Sequence, residues 1–354
     1  MTARPQTVEA RFARAMVELA APWPGAVAVS GGGDSLALMV LLAGWAKAHK
    51  HPTPAVLSVD HGLRPESRKE AERVKKLAGG LGLRTEILPW KGTNPSSDIE
   101  AEARLARYSL MGRWCADHKI PALYVAHTVE DQAETFLLRL ARGSGLDGLS
   151  GMQPVSALPV PEFQQIRLVR PLLQFRRAEL RDFLRTGKIE WAEDAMNSDP
   201  RFARARLRAA WPKLEGLGLM PERVADAAVH LGRARAALEE MTERFLQRGA
   251  RFQDDRAAID PLRLKMLPRE VGLRALAFIL GHVSGQEYRP RFDSLERLFD
   301  SILSGNLGRG ATLHGCIVAP APADNQVFGS ATITISPELT RKVKEPAAPS
   351  RRTI

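Results

Sequence analysis

Three consecutive glycines stand between two apolar runs in "AVAVSGGGDSLALM", residues 26–39. Glycine lets a backbone bend sharply and approach a ligand, and a helix start offers free N–H groups at the positive end of its dipole. A strand, a glycine-rich turn and a helix N-terminus together make an anion site, with phosphate the obvious occupant. The loop comprises Ser30, Gly31, Gly32, Gly33, Asp34 and Ser35. It is not a Walker A loop, because no Gly-Lys-Ser/Thr follows. Nor is it the dinucleotide fingerprint, since counting from Gly31 the third glycine position is Leu36. The competing account is a tight turn with Ser30, Asp34 or Ser35 as the helix N-cap. Three glycines flanked by hydroxyls favour the phosphate.

Four further sets carry reactive or charged groups. Asp60 and His61 end the next apolar run, where a ligand role and a plain Asp-His-Gly turn fit equally. Arg104 and Arg107 share a helix face. With Glu100 four residues before Arg104, the pattern by itself reads as a solvated face. His127, Asp131 and Glu134 follow i, i+4, i+7 spacing and line one side of a helix, while Ala133, Phe136, Leu137 and Leu140 line the other and are expected to pack inward. Judged alone, Thr128 and Asp131 make a variant capping box there. Arg201, Arg204 and Arg208 form a stripe, and four arginines in eight residues suit phosphate contacts. The two cysteines, Cys115 and Cys316, exclude a disulfide framework and a cysteine-built zinc site. Cys115 follows Tyr108 and Met111 on an apolar stripe and reads as a packed side chain.

Strands and helices must position these groups. Apolar patterning predicts strands at Ala26–Ser30, Ala55–Asp60, Arg84–Leu88 and Ala122–His127. Between and after them it predicts helices at Leu36–His49, Glu66–Leu81, Ser97–His118 and Val129–Ala141. Such alternation implies an α/β fold, a doubly wound and mostly parallel sheet with helices on both faces. Ligands bind beyond the C-terminal ends of its strands, where Ser30, Asp60 and His127 fall. Gly143–Pro161 reads as loop, Arg176–Arg185 and Pro200–Ala210 as short helices, and Glu222–Gln247 as a long one. Helices near 269–282 and 291–304 and strands near 311–319 and 326–336 complete a smaller, mainly helical C-terminal region. The organisation expected is a catalytic domain over 1–215, a helical, α+β region over 216–336 and a basic, disordered tail over 337–354.

The 354 residues carry a net charge of +11. Between Ile166 and Lys213, 12 lysines and arginines stand against 6 acids, a clustering that points to a nucleic-acid partner. No apolar run is long enough to cross a bilayer, and the first 25 residues lack a signal-peptide core, so a cytoplasmic protein is expected.

The loop Ser30–Ser35 resembles the SGGxDS signature of the PP-loop ATP pyrophosphatases. The segments "SVDHGLRPESRKEAERV", "EAEARLARYSLM", "AHTVEDQAETFLLRLARGSGLDGLSGM", "VRPLLQFRRAELRDFL" and "WAEDAMNSDPRFARARLR" are similar to the tRNA(Ile)-lysidine synthetase family, in that family's order. The resemblance covers about residues 25–215. It implies that ATP adenylates C2 of the wobble cytidine in a CAU-anticodon isoleucine tRNA. The ε-amine of free L-lysine then expels AMP. It implies ATP held by Ser30–Ser35 with Asp60 and His61, and Mg2+ at Asp34 and Asp131. It gives Arg104 and Arg107 the developing charge, and His127, Asp131 and Glu134 the lysine amine. Arg201, Arg204 and Arg208 are the expected tRNA contacts, the helical, α+β region over 216–336 is expected to be tRNA-binding, and a homodimer is possible. Two positions depart from the family pattern: Glu130 replaces the first of two aspartates, and Ala205 replaces an asparagine. The rival enzymes are a tRNA thiolase, opposed by the cysteine count, and a small-molecule amidating ligase, opposed by the basic segment. A non-catalytic nucleotide- or RNA-binding module is the rival from outside enzymes.

Overall fold

The structure, a computed structural model, describes residues 6–60, 65–90, 99–192, 203–286, 288–328 and 331–338. It divides into two compact units, Met1–Arg233 and Ala234–Ile354. The division falls inside a long helix, Pro221–Gly249, rather than at 215/216. The tail reading over 339–354 lies outside the described residues.

In the first unit the chain alternates. Helix α1 (Val8–Leu19) precedes β1 (Gly25–Ala28), α2 (Gly33–Ala48), β2 (Ala55–Asp60), α3 (Pro65–Gly80) and β3 (Thr85–Pro89). Then come α4 (Ile99–Asp117), β4 (Ala122–Tyr124), α5 (Val129–Leu140), α6 (Leu146–Leu149), β5 (Val155–Ala157), β6 (Arg167–Val169), α7 (Arg177–Thr186) and α8 (Ala203–Gly216). The sheet order is β3-β2-β1-β4-β6-β5, parallel throughout except for the antiparallel β5–β6 pair at one edge. Alternate strand residues serve opposite faces. Val27, Val29, Val56, Tyr124 and Val169 pack with α1, α2, α3 and α7. Ala26, Leu57, Leu123, Val125 and Leu168 pack with Tyr108, Met111, Trp114 and Cys115 of α4. This is the expected three-layer arrangement. The chain leaves β1 toward β2 and β3, and later fills the other side with β4 and β6. The crevice beyond the ends of β1 and β4 is therefore the topological switch point.

Gly143–Pro161, read as loop, contains α6 and β5. A three-residue edge strand has no room to display a period of two. The N-terminal helix α1 was also not foreseen. Thr7 caps it by accepting a hydrogen bond from the Ala10 N–H at 3.2 Å.

Helix α9 (Pro221–Gly249) leads into the second unit. There β7 (Ala250–Gln253) and β8 (Arg256–Ile259) form a hairpin closed by left-handed Asp254. Helices α10 (Pro261–Lys265), α11 (Arg269–Ser284) and α12 (Phe292–Leu303) follow, then β9 (Ala311–Leu313), β10 (Cys316–Pro320) and β11 (Ile333–Pro337). The sheet β7-β8-β11-β10-β9 is wholly antiparallel. Leu276, Ile279, Leu280, Phe299 and Ile302 cover it and meet Ile259, Val318 and Ile335 in one core. The single strand expected near 311–319 is a hairpin, turned at His314 and Gly315, both with positive φ. Among the described residues no helix is long and apolar enough to cross a membrane.

Candidate active site

The loop after β1 is tied by its own hydroxyls. Ser35 donates to the Gly32 carbonyl at 2.8 Å and accepts from the Ser30 N–H at 3.2 Å. The two serine oxygens lie 3.3 Å apart. The N-cap of α2 is Gly32, and no side chain caps it. The capped-turn account through Ser30, Asp34 or Ser35 therefore does not hold. The helix start keeps its anion-binding character. Gly31 has φ 90°, a conformation only glycine adopts freely.

Asp34 stands in the first turn of α2 with its side chain 28% exposed. Burial pushes its carboxyl up, Arg177 pulls it down, and Asp131 and Glu130 push it up again, to about 6. Arg177 begins α7 and is the hub of the site. Its guanidinium reaches Asp131 Oδ1 at 2.5 Å, Glu134 Oε1 at 3.1 Å and Asp34 Oδ2 at 3.4 Å. Its backbone N–H donates to both Glu130 oxygens, at 3.1 and 3.2 Å. A second cation, Arg208 on α8, donates to Glu134 from Nε at 2.7 Å and from Nη2 at 3.1 Å, and lies 3.8 Å from Asp131. Three carboxylates, Asp34, Asp131 and Glu134, thus contact the two guanidiniums, and Glu130 joins them through the Arg177 main chain. Burial pulls Arg177 down, but Asp131, Glu134, Asp34 and Glu130 outweigh it and hold its pKa above the ordinary arginine value.

Asp131 also closes the start of α5. Its Oδ2 accepts from the Thr128 N–H at 2.8 Å and from the Thr128 hydroxyl at 2.9 Å. The capping box read from the sequence is present alongside the ion pairs. Burial pushes the Asp131 carboxyl up, yet Arg177, His127 and the two Thr128 bonds hold it below the ordinary range. Of the expected inward face, Ala133 is buried and Phe136 and Leu137 are partly buried, but Leu140 is not, and the acid side is buried as well. Asp131, Gln132, Ala133, Glu134 and Thr135 are buried, whereas Leu140 is 50% exposed. The acids face inward because α7 and α8 bring arginines to them.

His127 lies just before α5. Its Nδ1 is buried and has no hydrogen-bond partner among the described residues. Burial pushes its pKa down to about 3. Asp131 opposes this, while Arg104, Arg170 and Arg204 add to it. The ring is neutral at pH 7. Arg104 donates to the Tyr108 hydroxyl at 3.3 Å and lies over that ring. Arg107 is half-buried on the same helix. Asp60 ends β2, 3.9 Å from Arg68, and its carbonyl accepts from the Trp90 N–H. His61 and Arg201 lie outside the described residues, as does the Glu100 side chain. Of the expected tRNA stripe, Arg208 turns onto Glu134 and Arg204 contributes charge at His127.

Arg177 is the site residue that sequence reasoning missed. A signal existed: Arg176 and Arg177 stand at a helix start, where the dipole disfavours cations. A local inconsistency of that kind is typical of functional positions.

Comparison with known proteins supplies a second line of observation. Residues 6–214 match the family model described as a PP-loop domain. The tRNA(Ile)-lysidine synthase of Wolbachia pipientis wMel is 39% identical over 297 residues, covering 82% of this chain and 67% of that protein. The tRNA(Ile)-lysidine synthase of Bradyrhizobium sp. is 38% identical over 339 residues, covering 92% of this chain and 90% of that protein. Among solved structures, the U34-tRNA thiolase NcsA from Methanococcus maripaludis superposes with a TM-score of 0.50 at 17% identity. It covers 66% of this chain and 78% of that one, a likeness of fold.

Proposed function

We infer the reaction from one premise: the chain belongs to the tRNA(Ile)-lysidine synthase family of PP-loop proteins, ligases that form a carbon–nitrogen bond with ATP. The substrates are ATP and tRNA(Ile). The finer reading is that C2 of the wobble cytidine in a CAU anticodon is modified. Its C2 oxygen attacks the α-phosphorus of ATP, and pyrophosphate leaves. The ε-amine of free L-lysine then attacks C2, and AMP leaves. A cytoplasmic enzyme is the setting that suits these substrates.

The observation that carries this reading is the acid cluster joined to the phosphate loop through Arg177. The loop Ser30–Ser35 takes the phosphates at a helix start without a side-chain cap. Among the described residues no group of three or more His, Cys, Asp or Glu is arranged to hold a metal alone. Mg2+ binds through one or two carboxylates plus substrate phosphates. Asp34 fits as its protein ligand, because burial and acidic neighbours leave its carboxylate short of positive charge. Bound there, Mg2+ would neutralise charge on the triphosphate as pyrophosphate departs. Asp131 has both oxygens engaged by Thr128 and Arg177, so its part is to hold the acid cluster together.

The lysine co-substrate must present an amine whose free pKa is about 10.4 in neutral form. His127, neutral with a buried unpaired nitrogen, is suited to accept a hydrogen bond from the amine and orient it. With its pKa so low it is a poor final holder of the proton. Arg104 and Arg107 are suited to the charge that develops at the cytidine oxygen.

A thiolase reading finds little support. Cys115 and Cys316 are fully buried, and burial pushes their thiols up to about 12 and about 11. The decisive experiment is mass analysis of tRNA nucleosides after incubation with ATP and labelled lysine. Lysine-labelled cytidine is expected. Pyrophosphate release without a labelled nucleoside would point to a different nucleophile, and no release would point to a binding module.

A further inference from the structure

We propose that Trp191, together with the main chain of Ala192, clamps the phosphate loop and is a positioning residue for the triphosphate of ATP. The proposal rests on the reading of Ser30–Ser35 as the ATP loop. It starts from Gly33. This residue is the first of α2, and its φ is not positive, so its backbone does not call for glycine. A side chain there would instead press on Trp191. A Cβ on Gly33 would lie 3.3 Å from Trp191 Cδ1 and 3.4 Å from Cγ.

Ala192 holds the two preceding glycines. Its N–H donates to the Gly31 carbonyl at 3.1 Å, and it forms a parallel bridge with Gly32. All three glycines are thus touched by one two-residue stretch. The Gly31 contact also sets direction. In a trans peptide the carbonyl of one residue and the N–H of the next point opposite ways. Anchoring the Gly31 carbonyl on Ala192 therefore turns the Gly32 N–H away from the clamp, to the side left for an anion. Three glycines in a row have more conformational freedom to lose than any other tripeptide, so this loop needs an outside support to stay in one shape.

The clamp is itself braced. Trp191 packs against the core beneath α2 and α7. The Arg185 guanidinium lies over its ring at 5.6 Å. The Ile189 N–H donates to the Leu184 carbonyl at 2.9 Å, fixing the chain between α7 and the clamp.

The test is steady-state kinetics of the full-length chain with Trp191→Ala and Trp191→Phe, alongside tryptophan emission during ATP titration. If the unclamped loop is competent roughly a tenth of the time, the ATP KM rises about tenfold in Trp191→Ala. The lysine KM and the kcat should hold near wild type, and Trp191→Phe should restore the ATP KM. The ATP-induced change in emission should disappear in Trp191→Phe, which is measurable even where the alanine variant does not fold. The proposal is overturned by an unchanged ATP KM in a folded alanine variant. It is equally overturned by a parallel loss of kcat and melting temperature without an ATP-specific effect, or by a full emission change in Trp191→Phe. If wild type shows no ATP-dependent turnover or binding at all, the assignment of the ATP loop itself fails instead.

Discussion

Asp34 carries a cost in the folded protein. Its carboxyl sits at about 6 against an ordinary value of 3.8, chiefly because burial penalises the charge. The native state therefore binds more protons than the unfolded chain between those two values. Stability from this group is present below about pH 4 and is lost as pH rises to 6, by at most about 3 kcal/mol. Asp34→Asn keeps the shape and removes the penalty. At pH 7.5 in metal-free buffer it should melt at or above wild type, with the gap closing toward pH 4, while tRNA-dependent pyrophosphate release is lost. Thermal melts across pH 4–8 check this, and a variant melting below wild type throughout would show that the Arg177 pair outweighs burial. Arg177 makes the opposite case. Arg177→Met would leave Asp34, Asp131 and Glu134 facing one another and should cost roughly 3–5 kcal/mol, as breaking a buried ion pair does. Arg177→Lys keeps the charge but not the planar fork, so it should recover only part of that loss in a denaturant titration. Full recovery by lysine would reduce Arg177 to a point charge.

At the scale of elements, the helix α5 shows what could be read ahead of the structure and what could not. Its limits, its Thr128 cap and the shared face of Asp131 and Glu134 follow from spacing alone, whereas His127 stands before the helix. Which face turns inward does not. Apolar residues on one side ordinarily decide that, but here arginines from α7 and α8 pair with the acids and bury that side too. This pairing depends on residues 43 and 74 positions away in the chain, which no local period reports. The parallel strands β1, β2 and β4 were legible because each is a compact apolar run between turn residues, and β3 because it follows a charged helix in the same alternation. The edge strand β5 and the hairpin β7–β8 were not, since three or four residues with exposed positions look like loop. The burial of the acid side of α5 has a direct consequence. Leu140→Lys, at a 50% exposed position, should change stability by no more than about 0.5 kcal/mol. Glu134→Ala strands two arginines and should cost several times as much. Paired denaturation curves decide it, and a large loss from Leu140→Lys would restore the apolar side of α5 to the core.

For the whole molecule, the question is which of the cations behind the +11 charge are available to tRNA. Salt sensitivity of binding counts the phosphates a protein neutralises, so only outward cations register. Arg177 and Arg208 do not qualify, being committed to carboxylates. On α3, Lys69, Arg73 and Lys76 stand at i, i+4 and i+7, exposed along one face. Arg68 on the same helix is paired with Glu72 at 3.3 Å, and Glu70 Cβ lies 3.9 Å from where a Cβ on Gly31 would be. The outer face of α3 is therefore a line of cations, and its other side adjoins the phosphate loop, where a Cβ on Gly31 would meet Val74 at 3.7 Å. This exposed basic face beside the phosphate loop is the surface expected to meet the tRNA backbone. Replacing all three residues by alanine should lower the slope of log K against log salt by about 2 units or slightly more, at roughly 0.7 to 0.9 for each phosphate contact. Arg208→Ala should leave the slope unchanged and lose stability and turnover, because its work is at Glu134. Affinity for tRNA measured across a salt series gives both answers. If the α3 variant keeps the wild-type slope while Arg208→Ala flattens it, the inward pairing of Arg208 yields to tRNA, and the arginine helix is the RNA surface after all.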